Sequence, residues 1–463
     1  MFPSRSGLAV VALCFVLFMF GCGGTMNSVS VGGANTSPVT LTVSDAPPAG
    51  VTILSFEVNV SSAVLNPGNV QLVTAPVQIE VKQLETEAAF LSTINVPQGT
   101  FQSISVTFSG AEITFLNQTG APLGTCQNNT VCHIESASAS TVTFSGAPFP
   151  ITIMANTPSG LKIDLNLANI LSPTLGVNFS AANGVVVTQT PVKAAGELDD
   201  LDDLNGSIQS IDATNKKFTL HTLTGDFTIA TDSNTEFDFD ACVAENFSCL
   251  QVGQVIEVDL EIMPGGVFTA KRIELDDQNE DNEAEGVVFK IDDATHFEFV
   301  ILNEFNPTSN INLGTPVVVT LSSASFQVKS DGLSVPSALQ NSFQAAMDTS
   351  QLLPGQEVQV RIKSSVAGPP VAITTDRVRL RMSQFTSSVT AAGSPNFTVG
   401  LLPALFTNAG IVSIHVQTSS STNFDGVAGA SALVNGDVVS LRGLLFKNGG
   451  NPPELIAKKV RKR

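Results

Sequence analysis

Two short stretches that alternate acidic with apolar residues carry the densest chemistry in this 463-residue chain. In TEFDFDA, Glu236, Asp238 and Asp240 share one face of a strand and Phe237 and Phe239 share the other. In VIEVDLEI, Glu257, Asp259 and Glu261 stand opposite Val258 and Leu260 in the same way. Alternate residues of a strand lie about 6.5–7 Å apart, so each trio makes an anionic stripe. A divalent cation needs oxygens that converge rather than a stripe. The stripes therefore read first as a water-facing side above an apolar core.

Two acidic runs, ELDDLDD (197–203) and ELDDQNEDNEAE (274–285), hold much of the remaining charge. The second has the acid and amide density of a calcium loop, which makes Asp276, Asp277 and Asp281 weak candidate ligands beside Glu236, Asp238 and Asp240. It lacks the glycine and the terminal glutamate spacing of an EF-hand. Blocks of like charge are normally solvated spacers, and both runs are read so. A calcium- or cation-responsive segment over 197–285 is the alternative, and Ca2+ is the only cofactor that it would imply. His133, His221, His296 and His415 fall in different modules or on separate strands, so no metal cluster is expected. No nucleophile elbow, P-loop, zincin or dinucleotide fingerprint occurs. The chain is accordingly read as non-enzymatic, with an envelope hydrolase of unrecognised site as a further alternative.

Six cysteines remain to be placed. Cys126 and Cys132 form one close pair, and Cys242 and Cys249 form another. Neither has CxxC spacing or a histidine partner, so two local disulfides are expected. Cys14 lies inside an apolar run from Leu8 to Phe20 that follows a single Arg5. That run is shorter than the roughly 20 residues a spanning helix needs and has the layout of an export signal. It ends at Cys22, in MFGCGG, and there resembles the lipobox of bacterial lipoproteins. The resemblance implies that residues 1–21 are a signal peptide and that Cys22 is lipidated. An ordinary signal peptide cut nearby, or an uncleaved anchor, would leave a cysteine at that boundary unexplained. Small polar residues over 22–38 make a tether. The implied location is the bacterial cell envelope, lipid-anchored in the membrane, with Gly23 compatible with the outer one.

These residues must be positioned by strands, since alternation of period two recurs from residue 39 onward. Over 39–193 the pattern is that of a β-sandwich. Ser44-Asp45-Ala46-Pro47, Val58-Asn59-Val60, Pro97-Gln98-Gly99-Thr100-Phe101 and Gly160-Leu161-Lys162 resemble, in this order, an uncharacterised domain of bacterial lipoproteins. Three later segments repeat one plan. Openings GSIQSID (206–212), GVVFKID (286–292) and QFTSSVT (384–390) lead to Gly-containing turns and then to closing strands AKRIEL, TDRVRL and AKKVRK. We read three small OB-like β-barrel modules, at 204–277, 284–383 and 384–463, with a helix in the second formed by Leu339, Phe343, Ala346 and Met347 on one face after Pro336. The modules resemble a second uncharacterised family of small β-domains, most clearly in copies one and two.

Charge is uneven along this plan. Residues 196–285 hold 22 acids against four bases, whereas 384–463 hold three against seven. A net charge of −19 on an exported chain excludes nucleic acid as a partner. The absence of Trp and Tyr weakens carbohydrate binding. An envelope protein or polysaccharide of unknown identity is the expected partner. The basic terminus KKVRKR is expected to be solvated.

Overall fold

The computed structural model describes residues 35–46, 52–136, 138–171, 176–193, 196–222, 225–239, 242–277, 282–305, 311–330, 332–368, 370–450 and 452–463. Cys22, Asp240 and Asp281 lie outside them. The chain is all-β, a sandwich followed by three barrels, as its alternation predicts. No helix among the described residues is long and apolar enough to cross a membrane.

In the sandwich, strand Thr36–Ala46 lies parallel to Ser159–Asn166 and antiparallel to Ala89–Pro97, and Val185–Thr190 completes the sheet. The first strand thus starts inside the expected tether. The facing sheet is built on two long antiparallel strands, Thr52–Asn66 and Ser103–Leu116. Alternate residues fill the space between the sheets: Val39, Leu41 and Val43 from one, Val58, Val60, Val106 and Phe108 from the other. Burying each such side chain contributes about 1.5–3 kcal/mol. The first half of Thr52–Asn66 departs from alternation, with Leu54, Ser55, Phe56 and Glu57 all buried. Both faces are covered there, so something packs on the outside of this sheet.

What packs there is the barrels. Barrel one consists of Asp199–Asp212, Lys217–Thr222, Gly225–Ala230, Val255–Met263 and Val267–Asp277. Barrel two consists of Glu283–Ile291, His296–Phe305, Pro316–Val328, Glu357–Val366 and Val371–Leu380, and barrel three of Met382–Ala391, Phe397–Gly400, Ser413–Gln417, Val438–Phe446 and Glu454–Lys462. In each, the first strand pairs with the second and fourth, and the third runs parallel to the fifth, which closes the ring. That is the strand order of an OB-type barrel. The glycine of each GxIxxID opening has a steric reason. A Cβ on Gly206 or Gly286 would come within 2.2 or 2.1 Å of the carbonyl oxygen of His221 or Val300 on the next strand.

Three readings need correction. Neither acidic run is a solvated spacer: barrel one opens at Asp199, with Asp199 and Asp200 each 3 % exposed, and in 274–285 the first four residues end one strand while Glu283 and Glu285 lie buried in the next. The second stripe does not face water, since Glu257 and Asp259 are buried and only Glu261 is half-exposed. The helix of barrel two, Ser337–Gln344, buries Leu339 and Phe343 and keeps Pro336 at its start, but Met347 lies beyond its end and is exposed. Phe343 instead packs edge-on against Phe326 and against Phe446 of barrel three. The cores of barrels two and three are in fact continuous, with Leu444, Phe446 and Ile456 joining the second.

Candidate functional site

The closing strands show how the modules meet. In TDRVRL and the residue after it, alternation sends Val378 and Leu380 into barrel two and leaves Arg377, Arg379 and Arg381 on its outer face. These arginines are 7, 8 and 1 % exposed, so the outer face is itself buried. Arg381 reaches Glu285 of its own barrel at 3.3 Å and Glu257 of barrel one at 2.5 Å. Lys329 meets Glu257 at 3.3 Å from another side. In AKKVRK, a bulge between Gly443 and Arg442 leaves Lys458 as the extra residue. Bulges re-aim side chains, and here adjacent lysines take different partners. Lys458 meets Asp259 at 2.6 Å, and Lys459 meets Glu87 of the sandwich at 2.9 Å. Arg442 lies between Glu87 and Asp202, 3.4 Å from each.

Sandwich lysines complete the seam. Lys162, the lysine of the Gly-Leu-Lys step, pairs with Asp199 at 2.5 Å, and Lys193 pairs with Asp200 at 2.9 Å. Burial alone would raise the pKa of Glu87 and of Glu257. The cations override it, Lys459 and Arg442 for the first and Arg381 and Lys329 for the second, and both carboxyls are held below their ordinary range. Burial would lower the pKa of Lys459, and Glu87, Asp202 and Asp200 raise it instead. The terminus KKVRKR is therefore not free in water: Lys459, Val460 and Arg461 are buried, Lys458 and Lys462 half-buried, and only Arg463 is exposed. Its guanidinium Arg463 also donates to the Glu85 carbonyl at 2.6 Å.

Where the four modules meet, they bound a cavity of about 260 Å³ lined by Glu57, Glu80 and Glu87 of the sandwich, Asp202 of barrel one, and Glu285 and Glu357 of barrel two. Gln384 and Arg442 of barrel three close it. Burial pushes Glu357 up to about 8, against the pull of Lys82. Burial, then the charges of Glu80 and Glu112, push Glu57 up to about 7. Burial also raises Glu80 and Asp202. A carboxyl held neutral donates a hydrogen bond as well as accepting one. The cavity thus suits a small ligand that brings hydrogen-bonding groups or positive charge.

The first-stripe candidates lie elsewhere. Glu236 is exposed, and Asp238 is 2.6 Å from Arg272 on the neighbouring closing strand. Asp276 and Asp277 end the strand Val267–Asp277. Cys126 is joined to Cys132 and Cys242 to Cys249, with Cα separations of 5.9 and 5.8 Å. Each histidine has an acidic neighbour: Asp226 for His221, Asp293 for His296, Glu454 for His415, and both Glu112 and Glu135 for His133. The His133 group sets one histidine beside two carboxylates, a neighbourhood that the spacing of the histidines does not suggest. Its members come from two strands, Glu112 from one and His133 and Glu135 from the other. Strand pairing, which spacing along the chain does not reveal, brings them together.

A sandwich and three OB-type barrels, joined by buried ion pairs, define a multidomain all-β protein. Three of its four modules match models of domains of unknown function. Residues 36–176 match the model of DUF4382, and residues 205–274 and 388–461 match that of DUF5666. The second family thus falls on barrels one and three, which corrects the expectation that its likeness is clearest in copies one and two. No curated protein matches the chain. Similar solved structures include the crystal structure of Ag(I)CusF, 13% identical, covering 17% of this chain and 97% of its own at a TM-score of 0.14. Another is a multidomain protein with nucleic acid binding domains from Streptococcus pneumoniae TIGR4. It is 10% identical and covers 56% of this chain and 73% of its own, at a TM-score of 0.12.

Proposed function

We propose that this protein is a non-enzymatic, lipid-anchored component of the bacterial cell envelope, a single body of four β-modules that binds a small ligand where they meet. The seam carries this reading. Arg381, Lys458 and Lys459 contact acids of other modules, and this ties the barrels and sandwich to one another. A string of independently tethered domains would leave those cations in water. The cation-responsive reading of 197–285 is weakened by the same kind of contact: Asp238, one of its candidate ligands, holds Arg272, and the neighbouring acids Asp199, Asp200, Glu257 and Asp259 hold Lys162, Lys193, Arg381 and Lys458. Among the described residues, the Thr–His–Glu chain of contacts formed by Thr114, His133 and Glu112 does not support a hydrolase. Thr114 is 1 % exposed and gives its hydroxyl hydrogen to the Gly314 carbonyl, so it has no access to substrate.

Two measurements test the proposal. Mass spectrometry of the mature N-terminus should find Cys22 diacylated and first in the chain; an unmodified Cys22 or a cut elsewhere overturns the anchor. Thermal unfolding with small amines and their neutral isosteres should show a stabilising shift for the amines in wild type. E357Q should reduce that shift, and equal shifts in both proteins would place binding outside the cavity.

A further inference from the structure

The outer sheet of the sandwich places Glu112 directly across from Glu135, and Thr114 directly across from His133. Residues two apart on a strand share a face, so all four side chains lie on one side of the sheet. Hydrogen bonding then fixes the imidazole. The Gly314 carbonyl can only accept, and Thr114 Oγ1 lies 2.6 Å from it, so the hydroxyl hydrogen is spent there. Thr114 Oγ1 also lies 3.0 Å from His133 Nδ1 and must accept from it. Nδ1 therefore carries the proton, and Nε2 of the neutral ring presents a lone pair.

That lone pair faces two anions. Nε2 is 3.6 Å from Glu112 Oε2 and 3.6 Å from Glu135 Oε1. Three electron-rich atoms within 4.8 Å of one another repel unless a positive charge sits among them. These separations exceed the roughly 2.7–2.9 Å of a charge-assisted hydrogen bond. They are close to the edge of a tetrahedron of ligands at about 2.0–2.1 Å from a metal, which is roughly 3.4 Å. The hydrogen bond from Nδ1 to Thr114 supplies the outer contact that orients metal-ligating histidines. The platform is rigid as well, since Cys132, next to His133, is tied to Cys126.

We propose that Glu112, His133 and Glu135 form a binding site for a first-row divalent transition metal of the Zn2+ type. One imidazole nitrogen with two carboxylate oxygens favours such an ion over Ca2+ or Mg2+, which prefer oxygen alone. The three side chains are 43, 35 and 73 % exposed, so water completes the coordination. Its three ligands are sandwich residues, and none of them lines the central cavity.

Calorimetric titration of the mature, tag-free protein with ZnCl2 and separately with CaCl2 tests it. One Zn2+ should bind per chain, with at least tenfold preference over Ca2+. H133A should weaken Zn2+ binding tenfold or more. E135Q, on the most exposed of the three side chains, should weaken it severalfold while leaving thermal unfolding without metal unchanged. Failure of wild type to saturate by about 1 mM Zn2+ overturns the site, as does unaltered affinity in both variants. A proton alone between the carboxylates would give the first of those results.

Discussion

Lys459 is 2 % exposed and lies 2.9 Å from a carboxylate 372 residues earlier. Removing one partner of a buried ion pair leaves the other as an uncompensated charge, which costs about 3–5 kcal/mol. K459M should lower the free energy of unfolding in urea by that amount. K459M combined with E87Q should lose less than the sum of the two single changes, by about 1–3 kcal/mol. Glu357 is the contrasting case, a buried acid beside Lys82 but also near Glu85 and Glu285. Between its ordinary 4.5 and its folded value of about 8, the native state keeps a proton that the unfolded chain has released. Stability from this residue is thus complete below pH 4.5 and declines as pH rises toward 8. E357Q keeps the acceptor for the Gln384 N–H, 3.1 Å away in wild type, and should flatten that decline by up to roughly 1.4 kcal/mol per pH unit. Urea unfolding at pH 5, 6, 7 and 8 would show it.

Among the elements, the opening strands are the least tolerant. G286A would drive a methyl group into the Val300 carbonyl, so barrel two must shift its first two strands apart. Its thermal midpoint should fall by several degrees, the effect of about 1–3 kcal/mol of overpacking. The helix of barrel two is held by Phe343, and F343A should cost about 3–5 kcal/mol by emptying the space between Phe326 and Phe446. At this scale much was legible in sequence. Period-two alternation located the strands, and recurrence of a glycine opening, a glycine turn and a basic closing strand located the barrels. What spacing could not reveal was the surroundings of the outward face. Alternation sets Glu257 and Asp259 opposite Val258 and Leu260, as the structure has them, yet it says which side a residue is on and not what meets it. The same blindness hid Glu112 and His133, which become neighbours only through pairing of strands Ser103–Leu116 and Val131–Ser136.

For the whole molecule, the uneven charge is the organising fact. Acids concentrated in barrel one face cations from barrels two and three, so that opposite charges set the mutual orientation of modules whose folds are alike. Reversing one charge, D259K, should let limited proteolysis release barrel one, and the exchange D259K with K458D should restore resistance. Because these pairs are buried, about 0.5 M salt should change the wild-type pattern little.

The position of the strand Glu454–Lys462 in chain order adds a consequence in time. It is made after every element whose charge it balances: Glu87, Asp200 and Asp259 all emerge hundreds of residues earlier. The sandwich and first barrel already meet without it, through Lys162 with Asp199 and Lys193 with Asp200, whereas Lys458 and Lys459 come only with it. The contacts of Lys458 and Lys459 with Asp259 and Glu87 thus form between barrel three and parts of the chain that precede it, so barrel three docks onto a sandwich and a first barrel already made.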